Sequence, residues 1–69
     1  MKNTLKVERA KHNMTQAELA MKVNVSRQTI NSIEIGKYTP STKLALKIAS
    51  IFNVKVDDIF SLQPDDWNN

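Results

Sequence analysis

Apolar residues recur at helical spacing along most of the chain, and small polar residues interrupt them at intervals. The periodicity reads as helices and the interruptions read as their ends. A first helix is predicted over about residues 4–12, with Asn3 or Thr4 as cap and Asn13 as the left-handed residue that ends it. Thr15-Gln16-Ala17-Glu18 has the form of a capping box, in which hydroxyl and carboxylate each satisfy a free backbone N–H. It opens a second helix over 16–23, closed by Asn24, a residue type that tolerates positive φ. Ser26 caps a third helix over 27–35, and Gly36 closes it. Thr39-Pro40 is a further start signal, with Thr39 as cap and Pro40 as first helical residue. The fourth helix then runs to about Phe52, with Leu44, Ile48, Ala49 and Phe52 along one face. A short fifth helix over 56–60 turns Ile59 and Phe60 to the core, and beyond Ser61 only Leu62 and Trp67 are apolar. The prediction is one all-α domain of five helices over residues 1–69.

At 69 residues the chain has room for a single core. It contains no cysteine, so no disulfide or thiolate metal site is expected, in keeping with a reducing, cytoplasmic setting. No secretory leader is read, and no apolar run approaches the roughly 20 residues that span a bilayer. Net charge is +3, unevenly distributed. Residues 1–47 hold nine Lys and Arg against Glu8, Glu18 and Glu34, a balance of +6. Residues 48–69 hold Lys55 against Asp57, Asp58, Asp65 and Asp66, a balance of −3. Two readings are open: a positive front that orients the molecule towards a polyanion, or ordinary scatter on a small surface. Catalytic and metal chemistry find no support. His12 stands alone, and Ser26, Ser32 and Ser41 have no histidine base near them in sequence. Asp57 and Asp58 suit the first turn of a helix, where acids favour the dipole. No cofactor, metal, membrane or small-molecule ligand is expected.

The segment that carries chemistry is 16–35, two short helices joined by Asn24-Val25-Ser26. A steep helix crossing needs a small residue at the contact, and Ala20 supplies it. The turn needs a positive-φ residue and then an apolar plug, which Asn24 and Val25 provide. On the third helix Ile30 and Ile33 share an inner face with Glu34 beside them. Gln28, Asn31 and Ser32 then share the outer face, with Arg27 and Thr29 on its flanks. These five side chains are amides, hydroxyls and a guanidinium, the groups that pair with base edges and phosphates. A plain solvated face would carry Glu and Lys pairs instead. No acid stands on this outer face to repel phosphate.

The runs Thr15-Gln16-Ala17-Glu18-Leu19-Ala20, Val25-Ser26-Arg27-Gln28-Thr29-Ile30-Asn31-Ser32-Ile33-Glu34 and Gly36-Lys37-Tyr38, with Pro40-Ser41, resemble the Cro/C1-type (Xre) helix-turn-helix family, whose fold is lambda repressor-like. The resemblance covers about residues 5–60. Leu44-Ala45-Leu46-Lys47-Ile48-Ala49 and Asp57-Asp58-Ile59-Phe60 are similar to its short stand-alone members. The resemblance implies that Gln16 binds a phosphate and braces the recognition helix. It implies that Arg27 and Gln28 read bases and that Thr29 and Asn31 meet base or phosphate, with Ser26 and Ser32 completing the polar set. Lys37, Tyr38 and Thr39 would lie in the loop pressed against the DNA backbone, although Tyr38 could instead pack under that loop. Arg9 and Glu34 match an ion pair that ties the first helix to the third, a structural role.

The resemblance further implies a homodimeric transcriptional regulator, a repressor, bound to a palindromic double-stranded DNA operator. Residues 51–67 are the candidate dimerisation region, and 61–67 would pair with 1–3 as short strands. The competing class is an antitoxin or other protein-interaction module with secondary DNA binding. Two departures from the family stand out: Asn24 replaces a common glycine, and Glu8 replaces a common apolar residue. Glu8 either turns to solvent while Val7 fills the core or pairs with a nearby Lys or Arg. Trp67 has three open placements: a free tail, a fold back over the core, or a partner subunit. Met14 is expected in the core. Lys6, Lys11, Lys43 and Lys47 are read as solvated, with Lys43 the best placed of them to meet a phosphate.

Overall fold

Local hydrogen bonds set where each helix begins and ends. The computed structural model describes residues 1–68, in the order β1 (Lys2–Asn3), α1 (Leu5–Lys11), α2 (Gln16–Val23), α3 (Arg27–Glu34), α4 (Thr42–Ile51), α5 (Val56–Ile59) and β2 (Phe60–Ser61). A 3₁₀ turn, Pro64–Trp67, follows. Thr15 and Glu18 form the expected capping box on α2, with bonds of 3.0 and 2.9 Å. Ser26 accepts the Thr29 N–H at 3.1 Å and so starts α3.

Four helices end in one common way. Asn13, Asn24, Gly36 and Asn53 take φ of 50, 59, 83 and 55°. In each case the next N–H reaches back five residues, as from Val25 to the Ala20 carbonyl at 3.0 Å and from Lys37 to Ser32 at 2.9 Å. This is the Schellman closure, which satisfies carbonyls that the helix leaves free. After each asparagine an apolar residue, Met14, Val25 or Val54, packs against the core.

The start of α4 differs from expectation. Ser41, not Thr39, is its cap: the Ser41 hydroxyl accepts the Leu44 N–H at 3.1 Å, and Thr42 is the first helical residue. Pro40 lies outside the helix and is buried, beside Met1 and Phe60. Both Thr39-Pro40 and Ser41 can start a helix locally. Burying Pro40 keeps it in the incoming loop and leaves the cap to Ser41. The predicted end of α5 also shifts, because Phe60 is extended and pairs with Asn3.

One core joins every helix. Leu5, Leu19, Ile30, Ile33 and Ile48 are its most deeply enclosed side chains, with Phe52, Ile59 and Phe60 around them. Burying an aliphatic side chain of this size contributes about 1.5–3 kcal/mol. Helices of eight residues do not persist alone, so Ile30 and Ile33 are what hold α3 in place. Met14 is half-buried against this core. Glu8 is buried and reaches Lys11 at 3.4 Å, while Val7 stays exposed and does not fill the core.

The termini meet in a two-stranded antiparallel ribbon, with Lys2 opposite Ser61 and Asn3 opposite Phe60. The strand is shorter than the expected 61–67, because Pro64–Trp67 turns into 3₁₀ geometry under the bond from the Gln63 N–H to Asp66 Oδ2 at 2.7 Å. The terminal ammonium meets Asp66 Oδ1 at 3.2 Å. Trp67 is 75 % exposed and does not fold over the core.

Candidate nucleic-acid interface

α2 and α3 pack against each other, and Ala20, the small residue of α2, is buried at 3 % exposed. Asn24 and Val25 make the turn, with Val25 half-buried as its plug. Pinned through Ile30 and Ile33, α3 leaves Arg27, Gln28 and Asn31 exposed and Thr29 and Ser32 half-buried. Ser26 is exposed at its start, 2.9 Å from the Thr29 hydroxyl. The first turn of α3 contains no acid.

Beside this face lies an open hollow of about 610 Å³, with the α2–α3 turn on one side. Gln28, Thr29 and Ser32 line it from α3, Tyr38 from the following loop, and Lys43 and Lys47 from α4. Tyr38 is therefore at the hollow's edge and 45 % exposed, not packed under its loop. Lys47 is exposed, as expected, and also lines this hollow. The available signal was its spacing of four from Lys43, on the side of α4 away from the buried Ala45 and Ala49. Arg27, Lys37 and Thr39 are exposed but outside the hollow.

Behind the opposite edge of α3 runs a polar network. Arg9 Nε donates to Glu34 Oε2 at 2.6 Å, and Arg9 Nη2 donates to Glu34 Oε1 at 3.1 Å. Arg9 Nη1 also donates to the Met14 carbonyl at 2.8 Å, so one guanidinium ties α1, the α1–α2 loop and α3 together. The side chains are nearly enclosed, 13 % and 5 % exposed. Burial pushes the Glu34 carboxyl up, but hydrogen bonds from Arg9 and Gln16 and the charges of Arg9 and Lys6 outweigh it and hold the group below its ordinary value. Gln16, the first residue of α2, spends both Nε2 hydrogens here: one on Glu34 Oε1 at 3.0 Å, one on Asn31 Oδ1 at 3.1 Å. Asn3, from β1, donates to the Ile33 carbonyl at 2.9 Å and accepts the Leu5 N–H at 3.1 Å. That tie between the N-terminal strand and the end of α3 has no local sequence signature.

Among the described residues no three His, Cys, Asp or Glu side chains converge as metal ligands, and no helix is long and apolar enough to cross a membrane. The His12 ring lies 5.0 Å from that of Phe52, and its Nδ1 is 3.0 Å from the Glu8 carbonyl. What the surface offers is a row of donors and acceptors with the two ammonium groups of Lys43 and Lys47 beside it.

Known proteins share this architecture. The family profile described as Helix-turn-helix matches residues 5–59. An HTH-type transcriptional regulator of Methanocaldococcus jannaschii is 61% identical over 66 residues, 96% of this chain and 100% of that protein. One from Bacillus subtilis is 45% identical over 65 residues, 94% of this chain and 98% of that protein. Among solved structures, the SOS-response transcriptional repressor LexA of Eubacterium rectale superposes with a TM-score of 0.77 at 30% identity, over 87% of this chain. The present chain spans 64% of that repressor chain's length. A transcriptional regulator of Listeria innocua, at 18% identity and a TM-score of 0.72 over 100% of this chain and 68% of its own, shares the fold. With its capped α2–turn–α3 unit, acid-free outer face and these relatives, the chain belongs to the Cro/C1-type (Xre) helix-turn-helix family of DNA-binding transcriptional regulators.

Proposed function

We propose that the protein is a homodimeric, sequence-specific repressor that lays α3 in the major groove of a palindromic operator. The observation that carries this reading is the outer face of α3: exposed, acid-free, and flanked by Lys43 and Lys47. Arg27 and Gln28 are the base readers, and Ser26, Thr29, Asn31 and Ser32 add contacts to base or phosphate. Gln16 braces α3 with its side chain and offers phosphate the free N–H of the first turn of α2. Lys37, Tyr38 and Thr39 approach the backbone after α3. The role of repressor is supported by the likeness to a chain named as one.

Two-fold assembly follows from scale. An eight-residue helix is about 12 Å long and meets only a few base pairs. The Cα extents are 34 × 22 × 20 Å, so two copies side by side can hold their recognition helices the 34–36 Å apart that one DNA turn requires. The C-terminal third, 51–67, is the proposed dimer region. Within it Ile51, Val54 and Val56 are half-buried against their own core, whereas Leu62 and Trp67 are exposed. The chain acts as one domain over 1–69, in the cytoplasm with the DNA. Selection of bound sites from a random duplex pool by the full chain tests this. The expected product is a symmetric pair of half-sites about 10 base pairs apart centre to centre; a single asymmetric half-site, or no enrichment, would overturn it.

A further inference from the structure

Helix α4 has two outward flanks. On one, Lys43 and Lys47 line the hollow beside α3. On the other, Leu46 borders two further hollows, and Val56 of α5 lines both of them with it. The first, of about 350 Å³, is walled by Pro40, Ala45 and Phe60, and only Thr39 and Thr42 among its lining residues are polar. The second, of about 450 Å³, includes the exposed Lys55 and Asp57. Leu46 is 57 % exposed between them, whereas the other exposed residues of α4, Thr42, Lys43, Lys47 and Ser50, are polar. A lone exposed leucine means little, but one that stands between two hollows can both fill a cavity and be enclosed.

Charge indicates what covers this face. No charged side chain lines the apolar hollow, and the Met1 ammonium is already paired with Asp66. A phosphate or a charged peptide therefore finds no partner there. The second hollow offers one cation and one anion. In a two-fold contact residue i meets j and j meets i, so Lys55 of one copy faces Asp57 of the other, twice. The face thus matches itself in charge, and such exposed pairs set register while contributing little energy. We propose that Leu46 of each copy seats in the apolar hollow of the other, making α4 and α5 the two-fold seam. This rests on the homodimer reading and carries the contact from 51–67 onto α4. Leu62 and Trp67 line neither hollow and stand outside the seam. The Lys43 and Lys47 flank lies about 10 Å away, one helix width, so the same helix joins the copies and faces the DNA backbone.

Sedimentation of the full chain over a range of concentrations measures the dimer Kd. Leu46→Asp places a charge against an apolar wall and should weaken the dimer about a hundredfold, while Trp67→Ala leaves it unchanged. Leu46 is outside the core, so helical content by circular dichroism should stay that of the unaltered chain. A second measurement keeps Leu46 in place. The chain has no cysteine, so a spin label on Ser50→Cys sits at one position only. Mixed with isotope-labelled unaltered chain, it should broaden the methyl signals of Leu46 and Val56 in the other copy. A label on Met21→Cys, on α2, should not. A chain that stays monomeric at every concentration would end the homodimer reading and the seam with it. A dimer that survives Leu46→Asp, that dissolves with Trp67→Ala, or whose Leu46 and Val56 signals ignore the Ser50 label would overturn the seam alone.

Discussion

At the scale of single residues, Glu34 ties the fold to the proposed reading surface. It accepts two hydrogen bonds from Arg9 and one from Gln16, with a side chain 5 % exposed. A carboxylate held below its ordinary value of 4.5 stabilises the fold fully above that pH. The contribution is lost as pH falls through the lower, folded-state value. Glu34→Gln should therefore cost about 1.5–3 kcal/mol at neutral pH, the range for hydrogen bonds to charged groups. The gap to the unaltered protein should narrow below about pH 4.5. Urea unfolding across pH measures it. Glu18 and Asp66 are also held low, by the Thr15 and Gln63 backbone N–H groups first, but both remain in each variant and cancel in the difference. A gap that stays constant from neutral to acid would show that the carboxylate is not what holds Arg9. The pairing of Arg9 with Glu34 came from family resemblance, and no local pattern pointed to the Met14 carbonyl as a third partner. The burial of Glu8 was illegible for the same reason: whether a helix face is covered depends on elements that fold elsewhere.

Among the elements, legibility tracked the range of the interactions. The bounds of α2 and the start of α3 are written within four residues, in Thr15 with Glu18 and in Ser26 with Thr29, and the structure has them there. The positive-φ residues Asn13, Asn24 and Gly36 were equally plain, since few residue types tolerate that backbone. The start of α4 differs from the expectation because two candidate caps, Thr39 and Ser41, stand two residues apart and only the packing of Pro40 chooses between them. This choice is measurable. Ser41→Ala should lower stability by about 1 kcal/mol, as loss of a capping hydroxyl does, whereas Thr39→Ala should leave it nearly unchanged. Thermal unfolding of both variants compares them, and the reverse ranking would restore helix initiation at Thr39. The terminal ribbon was expected over too long a stretch. Its two residue pairs end at Ser61, three residues before Pro64 begins a tighter turn.

For the whole molecule, charge and shape work together at one surface. Lys43 and Lys47 share a hollow with Gln28, while Lys55 lies in another beside Leu46 and Asp57. Neutralising a phosphate releases about 0.9 of a counterion on duplex DNA. Lys43→Ala and Lys47→Ala should each flatten the plot of log affinity against log salt by about one unit, on specific and random duplex alike. Lys55→Ala should leave that slope as it was, and an equal effect of all three would mean that the charge is not localised. The central claim, that the outer face of α3 reads base edges, needs a change that carries no charge. Gln28→Ala is that change, and the ratio of affinities for selected and random duplex at one salt concentration is its measurement. The account predicts a loss of about 1–3 kcal/mol on the selected site with random-duplex binding unaltered. An unaltered ratio, whether both affinities hold or both fall together, would contradict it.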